Sequence, residues 1–219
     1  MDKKPKIREY QGNGITIQYD VKRCIHAEEC IHALPKVFSQ HQRPWVQPGD
    51  TPAEDLVDAV LRCPSGALHF VRQDGGETEQ PPARHKVWFV ENGPLYVHGN
   101  IEMVDLEGNL LHKDTRVALC RCGDSKNKPF CDNSHLETGF TADGTGTVRE
   151  STEMLAEDDV LRITVKPNKS LRFEGNFEVF NEAGDLLYSG CRAGMCRCGA
   201  SKQKPFCDST HNDIGWTSD

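Results

Sequence analysis

The sequence predicts an α+β chain in which a small α+β domain precedes two β-rich repeats. Three observations predict it. The segment CRCGDSKNKPFCDNSH at 120–135 returns as CRCGASKQKPFCDSTH at 196–211, each position 76 residues after its match. Upstream of each copy, short runs of β-branched and aromatic residues are punctuated by Gly and Asn. The first third reads as strand 15–19, helices 28–34 and 53–61, and a closing strand 68–71, with Pro52 at the first helical position after a Thr51 cap.

The repeat extends beyond the cysteine-rich segment without a gap. Gly99-Asn100 matches Gly175-Asn176, Gly108 matches Gly184, Leu110-Leu111 matches Leu186-Leu187, and Gly139-Phe140 matches Gly215-Trp216. A whole unit is therefore duplicated, residues 85–141 and 161–217. The domains are expected at 1–72, 85–141 and 161–219. Strands are expected at 86–90, 95–98 and 101–106, and again at 161–165, 171–174 and 177–180. Glu107-Gly108-Asn109 and Ala183-Gly184-Asp185 read as hairpin turns. Residues 73–84 read as a linker, and 142–159 as the connection between repeats, with a helical turn at 153–157.

Composition excludes several classes. Only 37% of the chain is apolar and 7% aromatic, which suits small units stabilised by metal better than one large core. Net charge is −7 with no dense Lys/Arg run, so nucleic acid is not an expected partner. Residues 1–12 lack the apolar core of a secretory signal, and no stretch approaches the ~20 apolar residues of a membrane helix. A cytoplasmic protein with no membrane contact is expected. In a reducing compartment ten cysteines point to metal or redox work instead of disulfides.

Each repeated segment has the spacing C-x-C-x8-C-x3-H. Three thiolates and an imidazole select iron–sulfur clusters or zinc over hard cations. Cys120 and Cys122 can share one iron from a tight loop. If Asp132 caps a helix, His135 projects back toward Cys131 and the pair suits a second iron. Four ligands split two and two match a [2Fe–2S] rhombus. Cys196, Cys198, Cys207 and His211 would form the second site. A structural Cys₃His zinc site has the same ligand number, although zinc sites usually space their cysteines by two to four residues.

These segments resemble the CDGSH iron–sulfur domain of the mitoNEET family, with the pattern C-x-C-x2-[ST]-x3-P-x-C-D-G-[ST]-H. The match runs through Cys120, Cys122, Ser125, Pro129, Cys131, Asp132, Ser134 and His135, and through Cys196, Cys198, Ser201, Pro205, Cys207, Asp208, Thr210 and His211. Both copies replace the pattern's Gly, by Asn133 and Ser209. The resemblance implies a [2Fe–2S] cluster in each copy on three cysteines and one histidine. It also implies an intrachain pseudo-dimer within a monomer, since the family pairs two copies about a two-fold axis.

The first third carries Cys24-x5-Cys30 and, later, Cys63-Pro64-Ser65-Gly66-Ala67-Leu68. A last ligand before Pro is a ferredoxin signature. Ala27 stands where a middle cysteine is usual. With Asp20, Pro35, Phe38 and Arg43-Pro44-Trp45, the segment resembles the divergent mono-cluster 4Fe–4S ferredoxin domain. Three thiolates make [3Fe–4S] the natural cluster. A [4Fe–4S] cluster needs a fourth ligand such as His26 or water. The alternative is a small core of packed cysteines without a cluster.

The remaining candidates read as ordinary. Cys191 aligns with Thr115 and is no shared ligand. Ser125 and Ser201 are expected to bond loop amides or sulfur. No catalytic acid–base pair and no phosphate-binding loop is read, so no enzyme is expected. Two functions fit: one-electron transfer to redox proteins, or storage and delivery of clusters to apo iron–sulfur acceptors, since a histidine ligand loosens on protonation.

Overall fold

The computed structural model describes residues 6–155 and 159–218. They form two compact units, one up to Gln80 and one from Pro81 onward.

The first unit is a three-stranded antiparallel sheet with two helices. β1 (Ile7–Gln11) pairs with β2 (Ile15–Asp20), which pairs with β3 (Leu68–Arg72). β2 is the central strand and carries the buried Ile15 and Ile17. Between β2 and β3 run α1 (Glu29–Ala33) and α2 (Ala53–Leu61). Leu56, Ala59 and Val60 make one stripe of α2, spaced three and four apart, and close the core over the sheet. Pro52 is the N-cap of α2 and not its first helical residue. Its ψ of 138° is extended, so the helix begins one position later than expected.

The second unit is mostly strand. β4 (Lys86–Phe89), β5 (Leu95–Val104) and β6 (Leu110–Leu119) are followed by β7 (Leu161–Val165), β8 (Leu171–Phe180) and β9 (Leu186–Met195). The two short runs expected before each turn are one ten-residue strand. The ladder shifts register between His98 and Ile101, and between Glu174 and Phe177, where Gly99-Asn100 and Gly175-Asn176 lie. Gly-Asn therefore marks an irregularity inside a strand and not its end. β6 and β9 complete hairpins with β5 and β8.

Strand exchange joins the repeats. β4 pairs antiparallel with β5 of its own repeat and parallel with β8 of the other, Lys86 opposite Glu178. β7 pairs antiparallel with β8 and parallel with β5, Arg162 opposite Glu102. These two parallel pairings are the same contact carried 76 residues along. One core results. Val87, Phe89 and Ile101 pack in a single cluster with Ile163, Phe173 and Phe177. Alternate burial along β5 and β8 directs one face of each inward.

The connection between repeats is tied to the second one. Thr147 N–H donates to Lys204 O, Arg149 N–H to Leu187 O and Thr152 N–H to Ser189 O. The turn expected at 153–157 is not helical over 153–155, and its remainder lies outside the described residues.

Because each repeat borrows a strand edge from the other, residues 81–219 should fold alone as a monomer, whereas 81–141 should not. Gel filtration and circular dichroism check this. Two independently folded halves would contradict the shared core.

Candidate metal centres

Each C-x-C-x8-C-x3-H segment follows the last strand of its repeat. β6 ends at Leu119, and an isolated bridge joins Leu119 to Phe130. Cys120 N–H donates to Pro129 O at 2.9 Å and Cys131 N–H to Ala118 O at 2.9 Å. The bridge brings the two ends of the loop side by side, so the C-x-C half meets the C-x3-H half. The second copy repeats it: Met195 bridges Phe206, Cys196 N–H bonds Pro205 O, and Cys207 N–H bonds Gly194 O.

The loop interior is fixed by polar side chains. Ser125 Oγ donates to Phe130 O at 2.7 Å and accepts Asn127 N–H at 3.0 Å. Ser201 makes the matching bonds to Phe206 O and Gln203 N–H. The serines thus hold loop backbone, as expected. Asp132 accepts the N–H groups of Lys126 and Ser134 and the Ser134 hydroxyl. Asp208 does the same with Lys202 and Thr210. The Thr210 hydroxyl and these amides hold the Asp208 carboxyl below the usual carboxylate range.

Asp132 does not itself occupy the N-cap. Asn133 and Ser209 do, at φ 69° and 72°, ahead of a 3₁₀ turn (Ser134–Leu136) and of α3 (Thr210–Asp213). This left-handed position is where the family pattern carries Gly, and Asn and Ser adopt the same geometry here. It turns the N–H of Asn133 onto Cys131 Sγ, and that of Ser209 onto Cys207 Sγ, both at 3.4 Å.

The donors come in pairs. Cys120 and Cys122 sulfurs lie 3.6 Å apart, and Cys196 and Cys198 sulfurs 3.8 Å. Cys131 Sγ lies 3.5 Å from His135 Nδ1, and Cys207 Sγ 3.5 Å from His211 Nδ1. Nδ1 is therefore the nitrogen available to metal, which requires the Nε2–H tautomer. Gly123 N–H and Asp124 N–H point at Cys120 and Cys122 sulfur. Within each C-x-C pair one sulfur accepts the other's hydrogen bond, which lowers its pKa, at Cys120 and at Cys198. Burial pushes Cys131 up to about 12. Burial, and then the Arg121 charge, lower the pKa of His135, which favours the neutral imidazole that binds metal. The two histidines differ in exposure: His211 is buried, while His135 is partly open to solvent.

In the first unit, Cys24, Cys30 and Cys63 line one cavity of about 480 Å³ with Tyr19, Trp45 and Leu68. Cys24 sits in the loop after β2, Cys30 on α1 and Cys63 after α2. Left-handed residues His26 and Glu28, φ 53° and 61°, shape the loop between the first two. Burial pushes Cys30 up to about 12, reinforced by Cys63 and Cys24. Burial also raises Cys24, which shares a hydrogen bond with Tyr19. His26 lines the same cavity, although it is otherwise exposed. Cys191 lies on β9, partly exposed, outside all three donor sets.

Family models match this architecture. Residues 10–73 match one described as "Divergent 4Fe-4S mono-cluster", and residues 92–136 and 168–212 match one described as "Iron-binding zinc finger CDGSH type". The chain is a tandem CDGSH protein with a divergent 4Fe–4S mono-cluster domain ahead of its two repeats. Iron–sulfur binding is thus the chemistry of its domains. This tandem CDGSH protein is similar to "Uncharacterized protein YjdI" of Escherichia coli strain K12, 30% identical over 61 residues. That match covers 28% of the tandem CDGSH chain and 80% of YjdI, and the YjdI of Escherichia coli O157:H7 matches equally. No solved structure matches the chain.

Reading the residues alone passed over one feature of the tandem CDGSH loops. Arg121 and Arg197, between the cysteines of each C-x-C, are buried at 3% and 4% exposure. The signal was an identical Arg at one position of both copies.

Proposed function

We propose that this chain is a one-electron carrier. It holds two [2Fe–2S] clusters, one on Cys120, Cys122, Cys131 and His135, the other on Cys196, Cys198, Cys207 and His211. A third cluster is held by Cys24, Cys30 and Cys63. Three thiolates suit [3Fe–4S]; water or His26 would complete a [4Fe–4S] site. The partners are redox proteins, and no catalytic role is assigned.

The paired donors carry this reading. Two thiolates bonded at about 2.3 Å to one tetrahedral metal stand about 3.8 Å apart, close to the separations in both C-x-C pairs. The cysteine–histidine pairs are second, separate couples. When bound, such a cluster supplies a one-electron couple. The chain's own part is to present deprotonated sulfur, aim amide N–H groups at it and shield it from water.

The reciprocal strand pairing supports an intrachain pseudo-dimer and therefore a monomer. Ten free cysteines suit the reducing cytoplasm. Net charge of −7 gives no attraction to nucleic acid, and no helix among the described residues is long and apolar enough to cross a membrane.

One observation favours a second reading, cluster storage and delivery to apo-acceptors. His135 is partly exposed, so an incoming ligand can reach the metal-binding nitrogen's ring. Mixing the loaded protein with an apo-ferredoxin separates the two readings.

Metal and sulfide analysis, with visible and EPR spectra, tests the main proposal. Two [2Fe–2S] clusters need about four iron and four sulfide per chain, with a further three or four iron for the third. Colourless protein with stoichiometric zinc would overturn it.

A further inference from the structure

The two C-x-C loops lie back to back. A Cβ added to Gly199 would stand 2.5 Å from Cys122 O, and one added to Gly123 would stand 3.0 Å from Cys198 O. The Trp216 indole N–H donates to Gly123 O at 3.4 Å. Backbone of one metal loop thus lies against backbone of the other, with the Trp216 indole beside Gly123.

The arginine of each C-x-C lies buried beside this junction. Arg121 Nε donates to Gly93 O at 2.7 Å and its Nη2 to Val90 O at 2.8 Å. The guanidinium lies over Phe89 and Phe140, 4.7 and 5.7 Å from the ring centroids. Nη1 is buried and has no hydrogen-bond acceptor among the described residues. Arg197 is anchored at matching positions: its Nη1 donates to Lys166 O, and it lies over Trp216. So each arginine is fastened by its own repeat.

Each arginine also faces the junction. Arg197 lies over Trp216, whose indole N–H bonds Gly123 O, so the cation of one repeat stands against the metal loop of the other. Burial lowers the pKa of Arg121, and Cys196 of the other repeat leads the groups that oppose this. Burial likewise lowers the pKa of Arg197, opposed by Cys120. A buried guanidinium with a spare N–H is poorly placed unless an anionic acceptor stands near it. A thiolate-bound cluster is such an acceptor.

We propose that Arg121 and Arg197 are crossed positioning residues, each setting the charge environment of the cluster held by the other repeat. Arg121 serves the Cys196–Cys198 centre, with Nη1 donating to its sulfur. Arg197 serves the Cys120–Cys122 centre. This rests on the ligand sets proposed above. A fixed cation favours the reduced, more negative state of a cluster, so removing it lowers that cluster's potential.

The test is EPR-monitored redox titration of the full chain. The His135→Cys variant marks the first cluster as all-cysteine, so the two signals can be followed separately; His211→Cys marks the second. In these backgrounds Arg121→Gln should lower the reduction equilibrium constant of the second cluster at least tenfold, about 59 mV. The first cluster should move less. Arg197→Gln should give the mirror result. Arg121→Lys keeps the cation without the planar fork, and should restore more than half of the shift at equal iron content. If Arg121→Gln loads no cluster, the Lys variant and Arg197→Gln still decide. A larger shift in the variant's own repeat, equal shifts in both, or no shift overturns the inference while leaving the ligand sets intact. Wild-type protein without iron and sulfide overturns both.

Discussion

Converting both proposed histidine ligands to cysteine, His135→Cys with His211→Cys, is expected to lower the potential of the two proposed [2Fe–2S] centres by about 125 mV. Each substitution exchanges a neutral ligand for an anionic one. All-cysteine plant-type centres lie near −400 mV and two-histidine Rieske centres begin near −150 mV, so one histidine accounts for about half of that gap. The same variant should survive acid better. In the wild type, protons compete with metal for Nδ1 of His135 and His211. Burial and the Arg121 charge hold His135 below the usual imidazole value. A lowered folded pKa means that neutral His135 favours the folded site fully above about pH 6.5. The contribution is lost as pH falls through the lowered value. Cluster absorbance should therefore decay as pH falls below the usual imidazole value of about 6.5 in the wild type and persist in the double variant. Equal decay rates would show that the histidines are not the acid-sensitive ligands.

Cys63→Ala should abolish the proposed third cluster and leave the two proposed [2Fe–2S] clusters intact. Cys24, Cys30 and Cys63 line one cavity in the first unit, while both C-x-C loops belong to the second. With two thiolates left, a three-iron cluster lacks an anchor for its third iron. The oxidised [3Fe–4S] signal near g ~2.01, expected of three-thiolate ligation, should vanish. The visible absorbance of the [2Fe–2S] centres should remain. Cys191→Ala, outside every donor set, should change neither signal. An unaltered g ~2.01 signal in Cys63→Ala would remove Cys63 from the ligand set.

The donor sets were legible because metal ligation fixes residue type and spacing together. Short-range chemistry repeated at an offset of 76 residues left little to geometry. The helices of the first unit and most strands were legible too. What escaped was settled by partners distant in sequence. β1 reads IREYQ and is exposed along most of its length, so its residues carry no apolar alternation. It is a strand because β2 offers an edge, and Asn13-Gly14 was the overlooked hairpin signal. The first half of β6, LLHKD, is likewise mostly open to solvent despite its two leucines, and burial begins only at Arg116 and runs through Val117, Ala118 and Leu119. The parallel pairing of β4 with β8 has no local signature, since it joins residues about ninety apart. Arg121 escaped for another reason: a charged residue between two cysteines reads as exposed until the loop around it is seen.

That parallel pairing also sets an order of events during synthesis. The chain emerges from the ribosome N-terminal end first. When the first four-ligand loop, 120–135, is out, β4 still lacks the edge offered by residues 178–180 of β8. β5 likewise waits for residues 161–164 of β7. The first site is chemically complete some forty residues before its scaffold is. Its thiols therefore emerge ahead of the strand edges that build their scaffold, and loading of the first loop is expected to follow the emergence of β8.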